Sequence, residues 1–172
     1  MNLASKYYRP KSPRGGCDLD RTITFAEPAD EETLRTMFTA AGMDLAGEAE
    51  EHVVLRDGAN ILAGGRLYQA DEDLFHLLVF AVAQGERGRG TGRRLMRELC
   101  ERPWEYCRDA VEPTGGTFRI TTMAKGESAA FYKRCDYREC EASLLPPPFD
   151  SQCEDCPDCE QCGPVAMVYS RT

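Results

Sequence analysis

The stretch Leu74–Arg94 constrains the fold more than any other part of the chain. Its first nine residues, Leu74 to Val82, are apolar except for His76. A run this short, and this rich in Val and Phe, favours a buried strand over a helix. The glycines that follow, at positions 85, 88, 90 and 92, permit sharp turns and a close approach of the backbone to a ligand. Because LMRELC then opens a helix, unpaired N–H groups and the positive end of its dipole meet this loop. The pattern indicates either a phosphate-binding site or a plain glycine-rich turn.

The order of residues in the loop separates it from the common nucleotide-binding motifs. Neither GxGxxG nor GxxxxGK[ST] fits it. The segment Arg87–Gly92, RGRGTG, instead matches R/Q-x-x-G-x-G/A, and the FAV that ends at Val82 stands eight residues before Gly90. In these motifs, and from about residue 21 to residue 169, the chain resembles the GNAT N-acetyltransferase superfamily, in which this loop binds the pyrophosphate of acyl-CoA.

The size and charge of the chain argue against several classes of protein. We expect residues 1–20 to be a loosely ordered extension and residues 21–172 to be a single domain. No apolar run approaches the roughly 18 residues of a transmembrane helix, and the basic N-terminus lacks the apolar core of a secretory signal. A cytoplasmic protein with no membrane partner is therefore expected. The net charge of −8 argues against a nucleic-acid binder and favours a cationic acceptor.

The periodicity of the chain predicts an α/β fold. The alternation in Arg21–Ala26 predicts a strand, and apolar residues spaced by three or four from Leu34 to Ala41 predict a helix. A turn signal between His52–Arg56 and Ile61–Tyr68 predicts a hairpin. Further strands are expected at Leu74–Val82, Thr117–Met123, Tyr137–Leu145 and Val165–Ser170. The sum, β-α-β-β-β-α-β-α-β-β, is the GNAT order without a well-defined second helix, and it implies a mixed, mostly antiparallel central sheet flanked by helices.

The resemblance implies that the chain uses acetyl-CoA as a cosubstrate. In the family, the strand before the loop splays away from its neighbour, and its exposed backbone groups pair with the pantetheine arm. The pyrophosphate would lie on the N–H groups of the loop that follows. The residues expected to bind acetyl-CoA are Phe80, Ala81, Val82, Arg87, Gly88, Arg89, Gly90, Thr91, Gly92, Arg93, Lys125 and Phe131.

Tyr132 is the catalytic acid that the resemblance implies. The segment Ala130–Tyr137 resembles the family's A-x-FY-x-x-x-GF box, in which the tyrosine protonates the departing CoA thiolate. A phenol with a pKa of about 10 is a suitable proton donor to a thiolate. Asp136 replaces the family's glycine, and Asp tolerates the left-handed conformation expected there. A tyrosine at helical spacing can also be a core residue, and this alternative stays open.

His76 is the candidate for the catalytic base. It falls where several family members place a glutamate that faces the acceptor. Strand alternation puts His76 on the same face as Leu78, Phe80 and Val82, the face expected to meet the cofactor. An imidazole titrates near neutrality, so it could accept the proton of the amine directly or through water. The alternative is a hydrogen-bonded bystander.

A cysteine-rich insert, residues 146–164, separates the last two predicted strands. After three consecutive prolines, cysteines recur at every third position, at Cys153, Cys156, Cys159 and Cys162. Repeated C-x2-C suits one soft metal ion, and Zn²⁺ is the commonest structural choice. Disulfides or redox-active thiols are the alternative, although nine cysteines without an export signal argue against a disulfide scaffold.

Together these residues predict an N-acetyltransferase that moves an acetyl group from acetyl-CoA to a primary amine of a small molecule, a peptide or a protein. The alternative is a non-catalytic acyl-CoA-binding protein, or a metal or redox sensor that uses the cysteine cluster. The sequence leaves the acceptor amine and the oligomeric state open, with a homodimer as one option.

Overall fold

The computed structural model describes residues 20–172. The strands are β1 (Arg21–Phe25), β2 (Val53–Asp57), β3 (Asn60–Asp71), β4 (Leu74–Val82), β5 (Phe118–Ala124), β6 (Arg138–Glu139) and β7 (Val165–Arg171). The helices are α1 (Glu31–Ala40), α2 (Thr91–Glu101), α3 (Ala129–Lys133) and α4 (Cys159–Cys162), with short 3-10 helices between several elements. Within the described range, each helix falls short of the length and apolar character that crossing a membrane requires. The predicted extension lies outside the described residues, except for its last position.

The seven strands form one sheet in the order β1-β2-β3-β4-β5-β7-β6. Neighbouring strands run antiparallel everywhere except between β4 and β5, which are parallel. Helix α1 packs on one face of this sheet and α2 on the other. The predicted fold class, a mixed, mostly antiparallel sheet flanked by helices, is therefore confirmed.

Each face of the sheet carries its own apolar core. Helix α1 buries Leu34 and Phe38 on one face, and α2 buries Leu95 and Met96 on the other, each fully enclosed. Burying a side chain of this kind contributes about 2 kcal/mol. Gly64 lets α1 approach closely, because an added Cβ would stand 3.2 Å from the Met37 side chain, closer than ordinary van der Waals contact.

A bulge in β4 reverses the direction of its side chains. The register with β3 steps from Leu77 to Val79, so Leu78 is an extra residue without a partner. Leu77 packs in the core on the α2 side, whereas Val79 packs in the core on the α1 side. Alternation alone would put both on one face. The prediction that His76 shares a face with Phe80 is therefore wrong, because the bulge lies between them.

The strand predicted at Tyr137–Leu145 is much shorter in the structure. Only Arg138–Glu139 pair with β7, and the N–H of Cys140 makes a last bond to the Ala166 carbonyl at 2.9 Å. The chain then turns through a 3-10 helix at Ala142–Leu144, so it leaves the sheet before it reaches the three prolines.

Candidate active site

The two central strands, β4 and β5, diverge and leave a cleft between them. Their parallel ladder begins at Leu74 opposite Arg119 and ends at His76 opposite Thr121. Beyond this fork, residues 78–82 and 122–125 line the walls of a cleft of about 850 Å³. Helix α3, the loop before α2 and the end of α1 complete the lining. A cleft of this size accommodates a cofactor-sized ligand, and the open edge of β4 offers it backbone groups.

Two threonine hydroxyls fasten β5 to β4 at the fork. The Oγ1 of Thr121 donates to the carbonyl of Phe75 at 3.3 Å, and the Oγ1 of Thr122 donates to the carbonyl of Leu77 at 2.9 Å. Both threonines are buried. These bonds join the two strands at the point where they begin to separate.

The loop before α2 leaves that helix without a side-chain cap. Gly90, the N-cap residue, has a φ of 82°, a left-handed conformation that glycine adopts readily. An added Cβ at Gly88 or Gly90 would meet nothing within 4 Å, so no other atom of the described residues covers this side of the backbone. The first turn of α2 contains no acidic residue. The N–H groups and the positive end of the dipole are thus available to an anion at the edge of the cleft. This chemistry fits a pyrophosphate.

The structure divides the predicted loop residues into two groups. Those that line the cleft are Arg87, Gly88, Gly90, Gly92 and Arg93. Arg89 and Thr91 instead turn to Glu86: an Arg89 nitrogen lies 3.7 Å from its carboxylate, and the Thr91 hydroxyl donates to it at 3.0 Å. Glu86 therefore orders the loop. No sequence motif singles out Glu86, although its position between glycines and arginines is a signal that could have identified it.

The other residues predicted to bind the cofactor, Phe80, Ala81, Val82 and Phe131, all line the cleft. The rings of Phe80 and Phe131 stack with centroids 5.5 Å apart and an angle of 23° between their planes. An added Cβ at Gly92 would lie 2.7 Å from Val82, so this glycine permits α2 to pack against the strand. The wall beside the loop is thus apolar and closely packed.

Lys125 lies at the mouth of the cleft and bonds to the end of α1. Its Nζ donates to the carbonyls of Ala41 and Gly42, at 3.0 and 2.8 Å. These carbonyls belong to the group that a helix leaves unpaired at its C-terminus, where a cation is favourable. Lys125 therefore connects β5 to α1 across the cleft.

The candidate acid, Tyr132, lies on the wall of the cleft. It is 7% exposed, and its ring meets those of Phe131 and Tyr137 edge to face, with both centroid distances 5.4 Å. Burial raises the pKa of the phenol, and a polar contact with the Thr122 side chain offsets only part of this effect. The phenol therefore keeps its proton at neutral pH.

The candidate base, His76, is buried on the face of the sheet opposite Phe80. It is 2% exposed and is not among the residues that line the cleft. Its Nδ1 lies 2.9 Å from the hydroxyl of Thr121, and its ring stacks on Phe149 with centroids 4.2 Å apart. Burial lowers the pKa of the imidazole to about 4, so the ring is neutral at pH 7.

Phe149 is the site residue that sequence reasoning missed. It covers His76 and also meets Tyr68 edge to face, with centroids 6.5 Å apart. A signal was present, because Phe149 is the one large apolar residue between Leu145 and Val165. A lone aromatic residue in so polar a segment usually has a docking site.

The four cysteines predicted to bind metal are free thiols in successive turns. The N–H of Cys156 bonds to the carbonyl of Cys153 at 3.5 Å, and that of Cys159 bonds to the carbonyl of Cys156 at 3.2 Å. A structural zinc site needs four thiolates arranged tetrahedrally around one ion. Within residues 20–172, no group of three or more His, Cys, Asp or Glu is arranged to hold a metal ion. The predicted zinc site at Cys153, Cys156, Cys159 and Cys162 is not supported.

Comparison with known families gives one match. Residues 48–139, more than half of the chain, match the family model described as acetyltransferase (GNAT) domain. A search of curated protein sequences finds no significant match.

Several solved structures have a similar fold. N-acetylglutamate synthase from Neisseria gonorrhoeae, complexed with coenzyme A and N-acetyl-glutamate, is 14% identical with a TM-score of 0.66, over 87% of this chain but only 35% of the synthase. Ard1 from Thermoplasma volcanium is 14% identical with a TM-score of 0.61, over 90% of this chain and 99% of that one. The ribosomal-protein-S18-alanine N-acetyltransferase from Escherichia coli is 16% identical with a TM-score of 0.55, over 87% of this chain and 93% of that one. At these identities the likeness is one of fold.

Proposed function

Since the chain belongs to the GNAT acetyltransferase family, we propose that it transfers an acetyl group from acetyl-CoA to a primary amine of a small molecule, a peptide or a protein. The observation that carries this proposal is the cleft between β4 and β5. One end of it meets an uncapped helix N-terminus, and Tyr132 lies on its wall. An anion site and a proton donor thus share one cavity.

Acetyl-CoA would bind along the open edge of β4. The amide groups of the pantetheine arm can pair with backbone groups of residues 78–82 as an added strand does. The pyrophosphate would lie at the start of α2, where Arg87 and Arg93 add positive charge. Phe80 and Phe131 would pack against the apolar part of the arm.

The reaction needs two proton transfers and no covalent enzyme intermediate. The neutral amine attacks the thioester carbonyl, and the tetrahedral intermediate then expels the thiolate of CoA. Tyr132 would donate its proton to that sulfur, because the raised pKa of the phenol keeps it protonated until the thiolate forms. The open N–H groups of β4 are available to the carbonyl oxygen as its charge develops.

His76 is our candidate to receive the proton of the amine. The single hydroxyl proton of Thr121 is directed to the Phe75 carbonyl, so Nδ1 of His76 would carry hydrogen and Nε2 would keep its lone pair. The lowered pKa keeps the ring neutral. Because Phe149 covers the ring, Phe149 must move aside before the proton can arrive, and contact with water would then restore a more basic imidazole.

The test is turnover of acetyl-CoA with a panel of amines. Released CoA should be measured by chromatography, because nine cysteines in the chain would react with a thiol reagent. Amine-dependent release of CoA supports the transferase. Tight binding of acetyl-CoA without release for any amine would favour a non-catalytic acyl-CoA-binding protein, and lack of binding would refute both.

A further inference from the structure

The segment between Phe149 and Gly163 carries four thiols that the proposed reaction does not use. Cys156 is exposed, and Cys153, Cys159 and Cys162 are half-buried. None of the four belongs to either apolar core, whereas Cys100 and Cys107 are buried in the core on the α2 side. Packing therefore does not account for them.

The backbone holds successive thiols within reach of one another. The turns that join Cys153 to Cys156 and Cys156 to Cys159 close through bonds three residues apart, and Cys159 and Cys162 share one turn of α4. Residues at the ends of such a turn have Cα atoms less than about 7 Å apart. Disulfides form at Cα distances of about 4.4–6.8 Å. Side-chain rotation and a small backbone adjustment would thus suffice to join a neighbouring pair.

The segment touches the active-site region at both of its ends. At its start, Phe149 stacks on His76. At its end, the backbone of Cys162 and Gly163 lies against Gly126, where an added Cβ would be 2.7 Å from the Gly163 carbonyl oxygen. Gly126 follows Lys125, which lines the cleft. A change in the shape of the segment between these two contacts would therefore alter both of them.

We propose that residues 153–162 are a site of reversible disulfide formation between two of their four cysteines. We further propose that this oxidation moves Phe149 away from His76. A ring closed within these ten residues bends the chain between its two contact points. Phe149 lies only four residues before Cys153; its side chain is held by ring contacts and its N–H bonds only to the nearby Pro146 carbonyl, so this is the end expected to move. This inference does not depend on the proposed transferase activity.

The oxidant that suits the site is a neutral peroxide. The segment has acidic residues and no basic ones, and it therefore repels anionic disulfides; the acids are Asp150, Glu154, Asp155, Asp158 and Glu160. One thiol ionises and its sulfur attacks a peroxide oxygen, the O–O bond breaks, and a sulfenic acid and hydroxide form; the hydroxide takes up the proton that the thiol gave up and leaves as water. A second thiol attacks the sulfenic sulfur, the S–S bond forms, and a second water leaves. Two sulfurs supply the two electrons, and a dithiol reductant reverses the step.

The experiment compares the full-length protein before and after hydrogen peroxide. Peptide mass mapping should find a disulfide between two of the four cysteines, which dithiothreitol removes. The chain has two histidines, so NMR titration of their ring protons resolves each. On oxidation, the pKa of His76 should rise from about 4 toward the ordinary 6.5, while His52, which packs against Phe38, should not change.

Three variants sharpen the result. With all four cysteines replaced by serine, peroxide should leave His76 unchanged, whereas Cys140→Ser, outside the segment, should behave as wild type. Phe149→Ala should raise the pKa of His76 without any oxidant. The proposal is overturned if oxidation maps to other cysteines, or if the disulfide forms and His76 does not respond. It is also overturned if the reduced segment binds one zinc ion that protects all four thiols from peroxide.

Discussion

The imidazole of His76 lies parallel to the ring of Phe149, with centroids 4.2 Å apart and an angle of 12° between the planes. One residue of the cysteine-rich segment thus separates a candidate catalytic group from solvent. Burial is the cause that lowers the pKa of His76, so this separation has a consequence for the pH dependence of folding.

His76 should make the protein less stable as the pH falls. The pKa is about 4 in the folded chain against 6.5 ordinarily, so between these values the unfolded chain takes up a proton that the folded chain does not. The contribution is complete above pH 6.5 and is lost as the pH falls toward 4, with about 2 kcal/mol lost between pH 7.5 and pH 5. Urea unfolding at both pH values measures it. His76→Asn should show a smaller loss, and an equal loss in both proteins would contradict the prediction.

Tyr132→Phe should lower kcat by about 100-fold or more while the Kd of acetyl-CoA stays within about twofold. The variant removes the proton donor and keeps the ring that packs in the wall of the cleft. Tyr137→Phe is the matched control, because Tyr137 is equally buried and touches Tyr132 but does not line the cleft. Equal effects of the two variants on kcat would show that Tyr132 has a packing role only.

Gly90→Ala should weaken binding of CoA by about tenfold or more. A Cβ at a φ of 82° costs about 1 kcal/mol and shifts the backbone that meets the pyrophosphate. Gly58→Ala provides the control, since Gly58 has a φ of 56° in a turn far from the cleft and an added Cβ meets nothing there either. The two variants should lose similar amounts of stability. Calorimetric titration with CoA should show a loss of affinity in Gly90→Ala alone.

Lys125→Met should destabilise the protein by about 1 kcal/mol, because the carbonyls of Ala41 and Gly42 lose their donor. Lys133→Met, which removes only an exposed ion pair with Glu139, should cost less. Chemical denaturation compares the two. If Lys125→Met instead leaves stability unchanged and weakens CoA binding, the lysine acts on the cofactor as the resemblance implied.

The parts of the site that follow one another in sequence were predictable. The apolar run, the glycines and the helix start are contiguous, and the chemistry of each is local, so β4, the loop and α2 follow from the residues themselves. The cleft beside Phe80 could be expected for the same reason, once the loop motif was recognised.

The parts that depend on register and distant contacts were not predictable. In LFHLLVFAV almost every residue is apolar, so no change of pattern reveals that Leu78 is an extra residue in the ladder. The face of His76 was misassigned for that reason. The contact of Phe149 joins residues far apart in the chain, which no local pattern reveals. The zinc prediction rests on thiol spacing, which does not by itself fix where the four sulfurs lie.

The short ladder at Leu74–His76 and Arg119–Thr121 is the main-chain seam between two halves of the sheet, β1–β4 and β5–β7. A bound cosubstrate that pairs with β4 and also touches α3 would link these two halves. Saturating CoA should therefore raise the melting temperature and slow amide hydrogen exchange on both sides of the fork together. Ligand-free protein, in contrast, should open first along this seam.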